Sequence, residues 1–264
     1  MPIPVLSDVP EALRFLSRLP IPSDGDLKRE EHDRPFMERV APAFPIAGGL
    51  IGLIGSIVLL IALTVHLGAW VSAILAIAVT TALTGALHED GLADCADGLG
   101  GQSVERRLEI MKDSRVGSFG VLALVLATLL KVATLQALVA HSSLAAAAAL
   151  VAAGAISRVA GPYMLALLPA ARAGGLAAGA GRPSRSACAT GAVIGIIIAF
   201  VMVVPSFGVT ALISGLSFGI ITFFGLRRLA RAQFGGQTGD VAGAAIALVE
   251  IAFLLGLLIF ARQF

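Results

Sequence analysis

Two cysteines in 264 residues, Cys95 and Cys188, are too few and too far apart for a disulfide framework or a zinc site. Charge is equally scarce: Asp, Glu, Lys and Arg make up 14% of the chain, where a globular protein carries about 25%. Nineteen basic residues against seventeen acidic leave a net charge of +2, which excludes a nucleic-acid surface, since that requires clustered basic excess. Asp8 and Glu11 precede any long apolar run, unlike the basic start of a cleaved signal peptide, so the start of the chain is expected to be retained. What fills the sequence instead is apolar. The residues AVILMFWYC supply 57%, with 30 glycines besides, and the mean hydropathy is +0.92. That excess is too large for one soluble core and predicts an all-α, polytopic membrane bundle.

A helical span needs about 20 mostly apolar residues to cross about 30 Å of hydrocarbon. Seven segments meet that length: 43–65, 69–87, 119–140, 143–168, 188–206, 208–225 and 240–261. Sixteen of the nineteen basic residues then fall on alternate links, in 1–42, 88–118, 169–187 and 226–239. By the positive-inside rule those links are cytosolic. Of the remainder, Arg262 follows the last segment, and Lys131 and Arg158 fall inside segments. Nothing in the sequence marks an internal repeat or a separate soluble domain, so residues 1–264 are expected to form one membrane-embedded unit. Gly48, Gly52 and Ser56, four apart, predict close helix packing, and Gly161-Pro162 is expected to kink or end the fourth segment.

Acidic residues are concentrated in two places. Eight lie in 1–42, a solvated lead, and seven in 88–118. The run His88-Glu89-Asp90-Gly91-Leu92-Ala93-Asp94-Cys95-Ala96-Asp97-Gly98 holds four carboxylates in nine residues, which repel one another unless cations hold them. Asp90, Asp94 and Asp97 stand at i, i+4 and i+7 and line one face if the second segment continues as a helix. Carboxylates are hard ligands suited to Mg²⁺, which is held by one or two of them with substrate phosphates and water. The same acids would also serve to keep a cytosolic loop out of the bilayer.

Downstream, Ser103 reads as an N-cap, and Val104, Leu108 and Met111 as the apolar stripe of a short amphipathic helix at the cytosolic interface. Its end, Lys112-Asp113-Ser114-Arg115, puts cations where a diphosphate would need them, or leaves them merely solvated. Gly235-Gly236-Gln237-Thr238-Gly239-Asp240 opens the last segment, with Asp240 either aimed at a metal or serving as an N-cap. Lys131, Arg158 and Glu250 are intramembrane charges, expected to be paired with one another or to bind a polar substrate. His66 and His141 fall at the opposite side and are expected to be uninvolved.

The run His88 to Gly98, followed by Arg107-Leu-Glu-Ile-Met-Lys-Asp-Ser-Arg115 and Gly235 to Asp240, resembles the cobalamin synthase family, adenosylcobinamide-GDP ribazoletransferase. The likeness extends from Phe15-Leu-Ser-Arg-Leu-Pro20 to the last segment, with one departure: Ile246 and Ala247 stand where glutamines are expected. The resemblance implies a Mg²⁺-dependent bacterial inner-membrane enzyme that joins adenosylcobinamide-GDP to α-ribazole or its 5′-phosphate and releases GMP. It implies Glu89, Asp90, Asp94, Asp97 and Asp240 as metal ligands. His88, Asp90, Asp94, Lys112 and Arg115 are implied for catalysis, and Lys112, Asp113, Ser114, Arg115, Arg158 and Gly239 for substrate contact. Self-association, or association with other enzymes of the pathway, is left open. Two rival readings share these features: a membrane phosphotransferase acting on another nucleotide-activated head group, and a cation transporter.

Overall fold

The computed structural model describes residues 4–22, 35–172 and 181–261. Lys28, Arg29, Arg34, Arg262 and the acids of 24–33 lie outside the described residues. The described chain is helical: α1 (Pro4–Ser7), α2 (Val9–Leu16), α3 (Phe36–Val40), a 3-10 turn at Ala41–Ala43, α4 (Phe44–Thr64), α5 (Gly68–Thr84), α6 (Leu87–Gly98), α7 (Val104–Ile110), α8 (Ser118–His141), α9 (Ser143–Leu167), α10 (Arg185–Gln233) and α11 (Gly239–Ala261). No strand forms among the described residues; the one extended contact is an isolated parallel bridge between Ala170 and Gln237.

Five helical stretches are long and apolar enough to cross a membrane: Phe36–Thr64, α8, α9, α10 and α11. The pair α5 and α6, bent by 87°, passes the same test together and would be a sixth. The expected second segment therefore does not continue straight into the acidic run. It ends at Thr84, where Gly85 and Ala86 both adopt left-handed backbone (φ 62° and 57°). That conformation is ordinary for glycine and uncommon for alanine, so the corner is a built feature. Alone, α6 is 12 residues with four acids, too short and too polar to span.

The fifth and sixth expected segments are the two arms of α10. Gly208, with φ 77° and ψ 171°, interrupts this 49-residue helix in a conformation open essentially to glycine alone. Gly191 lies against Ala41 and Pro42 ahead of α4, whereas Phe207 stacks on His141 at the end of α8. Beyond the break, Gly215 faces Phe253 and Leu257 late in α11. The chain thus reverses at Gly208, and the arms run antiparallel.

Two helices form the centre. In their most apolar stretches, 78% of α9 and 72% of α11 are buried, against 28% of α8. The outer helices turn Leu53, Ile57, Leu126, Leu129, Ile197 and Ile221 outward, as a lipid-facing surface requires. Helix α4 meets α9 backbone to backbone: a Cβ on Gly52 would stand 2.5 Å from the Leu150 carbonyl oxygen, and Ser56 Oγ donates to the Ala147 carbonyl at 2.7 Å. The expected small-residue seam is therefore the closest contact of the bundle's core. Pro162 does not end α9, which runs on to Leu167.

Candidate active site

Helix α6 carries Asp90, Asp94 and Asp97 along one face, and α11 brings Asp240 to it. Their approach depends on glycine. A Cβ on Gly243 would meet the Leu87 carbonyl oxygen at 3.2 Å, and one on Gly91 would meet that of Asp240 at 2.6 Å. The start of α11 is capped by Thr238, whose Oγ1 accepts the Val241 N–H at 3.2 Å. Asp240 is accordingly free of the capping duty that sequence alone allowed it. Its carboxylate instead accepts from Thr238 Oγ1 and from Arg172 Nη2, each at 3.2 Å.

Arg172 escaped the sequence reading, where it counted only toward topology. It arrives because the strand-like segment before it is pinned: Gln237 N–H donates to the Pro169 carbonyl at 2.8 Å, and Ala171 N–H to that of Gln237 at 2.9 Å. The isolated bridge is thus what sets an arginine beside an aspartate 68 residues later. No periodic signal could have paired them.

Crowding marks the centre of the face. Burial, then the charges of Asp90, Asp240 and Asp97, push the Asp94 carboxyl up to about 7, with Arg172 opposing. Like charges this close call for a cation. No three His, Cys, Asp or Glu side chains among the described residues close into a metal cage. Mg²⁺ does not require one, since one or two carboxylates with substrate oxygens and water suffice. One or two of Asp90, Asp94 and Asp240, rather than all three together, fit that style of binding.

Other expected site residues are placed elsewhere. Both oxygens of Asp97 accept from backbone at the start of α8, the Gly117 N–H at 2.7 Å and the Gly120 N–H at 2.8 Å. Asp97 thereby fastens α8 to α6, whatever else it touches. Glu89 leaves the acidic face for the interior, its Oε1 3.6 Å from Lys131 Nζ. Lys131 also pairs with Glu250 at 2.9 Å, and Arg158 Nη1 reaches Glu250 at 2.6 Å and Ser157 Oγ at 2.9 Å. Arg158, expected on substrate, is 4% exposed and spent on Glu250. His88, expected in catalysis, is 3% exposed, with Nε2 buried and unpartnered among the described residues. His88 and Glu89 therefore lie on the buried side of α6, about 100–200° around the helix from Asp90, and Arg158 faces them from α9 through Glu250.

The amphipathic helix forms as expected. Ser103 Oγ accepts the Arg106 N–H, and Met111 packs over Gly98. Its terminal cations do not reach the acids. Lys112 is exposed without an ion pair among the described residues. Arg115 is 87% exposed and pairs with Asp113 at 2.6 Å, holding that carboxyl down at about 2. Ser114 is exposed beside them, and Gly239 stands at the first position of α11 with open space where a Cβ would be.

The family described as cobalamin-5-phosphate synthase matches residues 8–258. Among curated proteins, the chain is 48% identical over 259 residues to an adenosylcobinamide-GDP ribazoletransferase of Azorhizobium caulinodans, covering 98% of this chain and 97% of that one. It is 48% identical over 258 residues to the enzyme of the same name from Xanthobacter autotrophicus, with 97% of each covered. The counterpart from Brucella ovis is 42% identical over 257 residues, with 96% of each covered. No solved structure shows significant similarity. An acidic, membrane-proximal site and a match along nearly the whole length agree, and the chain belongs to the cobalamin-5-phosphate synthase family.

Proposed function

We propose that this membrane-embedded chain transfers the adenosylcobinamide-phosphate group of adenosylcobinamide-GDP to α-ribazole or its 5′-phosphate, releasing GMP and forming adenosylcobalamin or its 5′-phosphate. The relatives at 42–48% identity carry the name of that transfer, and the acidic face is the observation that ties it to a place in this chain. A ribose hydroxyl of the acceptor attacks the cobinamide-bearing phosphorus. The bond from that phosphorus to the GMP oxygen breaks, GMP leaves with the electron pair, and the hydroxyl proton passes to a carboxylate of the face.

One or two carboxylates from among Asp90, Asp94 and Asp240 would hold Mg²⁺, with substrate oxygens and water completing its ligands. The ion, when bound, neutralises charge on the attacked phosphorus and the leaving phosphate. Two features of the chain serve the same end. Gly91 and Gly243 let α6 and α11 approach until Asp240 faces Asp90 and Asp94, and the Glu89–Lys131–Glu250–Arg158 network anchors α6 from behind. The basic residues on alternate links support a cytoplasmic acidic face in a bacterial inner membrane.

Purified protein incubated with adenosylcobinamide-GDP, α-ribazole and Mg²⁺ is expected to release GMP and form cobalamin, and EDTA to stop it. Absence of GMP release would overturn the activity. Full turnover by an inserted, folded Asp94→Asn protein would overturn the metal assignment.

A further inference from the structure

A diphosphate approaching this face meets four carboxylates, so a cation of the chain beside the metal position would favour its arrival. Of the sequence candidates, Lys112 is exposed without an ion pair among the described residues, and Arg115 is exposed and paired with Asp113. Among the described residues, the cation paired with an acid of the face is Arg172, whose Nη2 lies 3.2 Å from Asp240 Oδ2. Its guanidinium is half used. Nη1 is buried and has no hydrogen-bond partner among the described residues, and a buried charged donor left idle is costly unless something completes it. A guanidinium presents its nitrogens as a planar fork, so a group held through one nitrogen offers the other in a fixed direction, the geometry that recognises phosphate oxygens. The fork is also aimed in advance, because the Pro169 and Ala171 backbone bonds to Gln237 tie the segment to the turn that carries Asp240.

Resting on the transfer reading above, we propose that Arg172 is the chain's diphosphate-binding residue. In the free protein it holds Asp240. In the substrate complex Nη1 takes an oxygen of the nucleoside diphosphate, and Asp240 is partly released toward the cation site. Arg172 thereby couples nucleotide arrival to the completion of the acidic face.

Two measurements test this. In turnover, Arg172→Gln is expected to raise KM for the GDP-linked substrate about 10-fold or more, the range of a lost charged hydrogen bond, with KM for α-ribazole unchanged. Arg172→Lys restores only part, lacking the fork. In calorimetry with GDP in EDTA, which needs no turnover, Arg172→Gln weakens binding, whereas Asp240→Asn tightens it by releasing the guanidinium. If Arg172 only pins the turn, thermal stability and kcat fall together while KM and GDP affinity stay at their wild-type values, and the proposal is overturned. Wild-type protein that binds GDP through Arg172 yet releases no GMP from adenosylcobinamide-GDP would sink the transfer reading and leave the anion site standing.

Discussion

A Cβ on Gly91 would stand 2.6 Å from the backbone carbonyl oxygen of Asp240 and 3.0 Å from its Cα. The obstacle is backbone, so no rotamer relieves it, and Gly91→Ala must push α11 away from α6. That movement parts Asp240 from Asp90 and Asp94. A misplacement of about 1 Å at a reacting site costs about 100-fold, and GMP release by Gly91→Ala is expected to fall by about that factor with insertion into membranes retained. Gly225→Ala, where a Cβ meets nothing within 4 Å, serves as the control. It should keep wild-type turnover and gain up to about 1 kcal/mol of helix stability.

Glu250 answers two buried cations, Lys131 and Arg158, with side chains only 7% and 5% exposed. Removing one partner of such a pair costs about 3–5 kcal/mol, mostly for the charge left behind. Glu250→Gln strands Arg158 and leaves Lys131 only the more distant Glu89, whereas Lys131→Met leaves Glu250 its bond to Arg158. Unfolding in detergent is therefore expected to rank wild type above Lys131→Met, and Lys131→Met above Glu250→Gln. Adding Glu89→Gln to Lys131→Met should recover part of the loss, since it removes the other stranded charge. Wild-type stability in Glu250→Gln would refute the pairing.

What the sequence made legible is what repeats or runs. Apolar runs of span length located α4, α5, α8, α9, both arms of α10 and α11, and the four-residue spacing of Gly48, Gly52 and Ser56 announced the seam with α9. The acidic run marked the site because its spacing alone sets Asp90, Asp94 and Asp97 on one face. Of the relationships across the chain, only the pairing of Lys131 and Arg158 with Glu250 was among those expected, because charges inside apolar runs need partners. Glu89 sits in the same motif as Asp90, yet one step around the helix turns it to Lys131, 42 positions later. Asp97 reads as another ligand, and nothing in its spacing announces the amides of Gly117 and Gly120 that it accepts from. Arg172 meets Asp240 through a two-bond backbone bridge that leaves no pattern. The corner at Gly85 did have a signal, a glycine interrupting an apolar run, but Ala86 in left-handed backbone did not.

Orientation is open to a labelling test. Cys95 and Cys188 are buried, so the background toward a membrane-impermeant maleimide is low. Leu67, between α4 and α5, is 45% exposed, and Glu105 lies on the exposed side of α7. In intact cells Leu67→Cys is expected to react and Glu105→Cys to be protected, with both reacting after lysis. The reverse pattern would place the acidic face outside.

The crowding around Asp94 makes stability depend on pH in a direction that ordinary acids do not share. Its carboxyl, buried and facing Asp90 and Asp97 on α6 and Asp240 on α11, with Arg172 as the opposing cation, is raised to about 7. An unfolded chain releases the same proton near pH 3.9. Between those values the native state holds a proton that the unfolded state has lost, so folding stability falls as pH rises from about 4 through about 7. In cation-free buffer the thermal midpoint should decline across that window. Asp94→Asn removes the titrating group and should flatten the decline, as should excess Mg²⁺, which supplies the missing positive charge at the face. A midpoint that instead climbs through the same window, or a slope that Asp94→Asn leaves untouched, would show that the crowded carboxylates of the acidic face do not set this pH dependence.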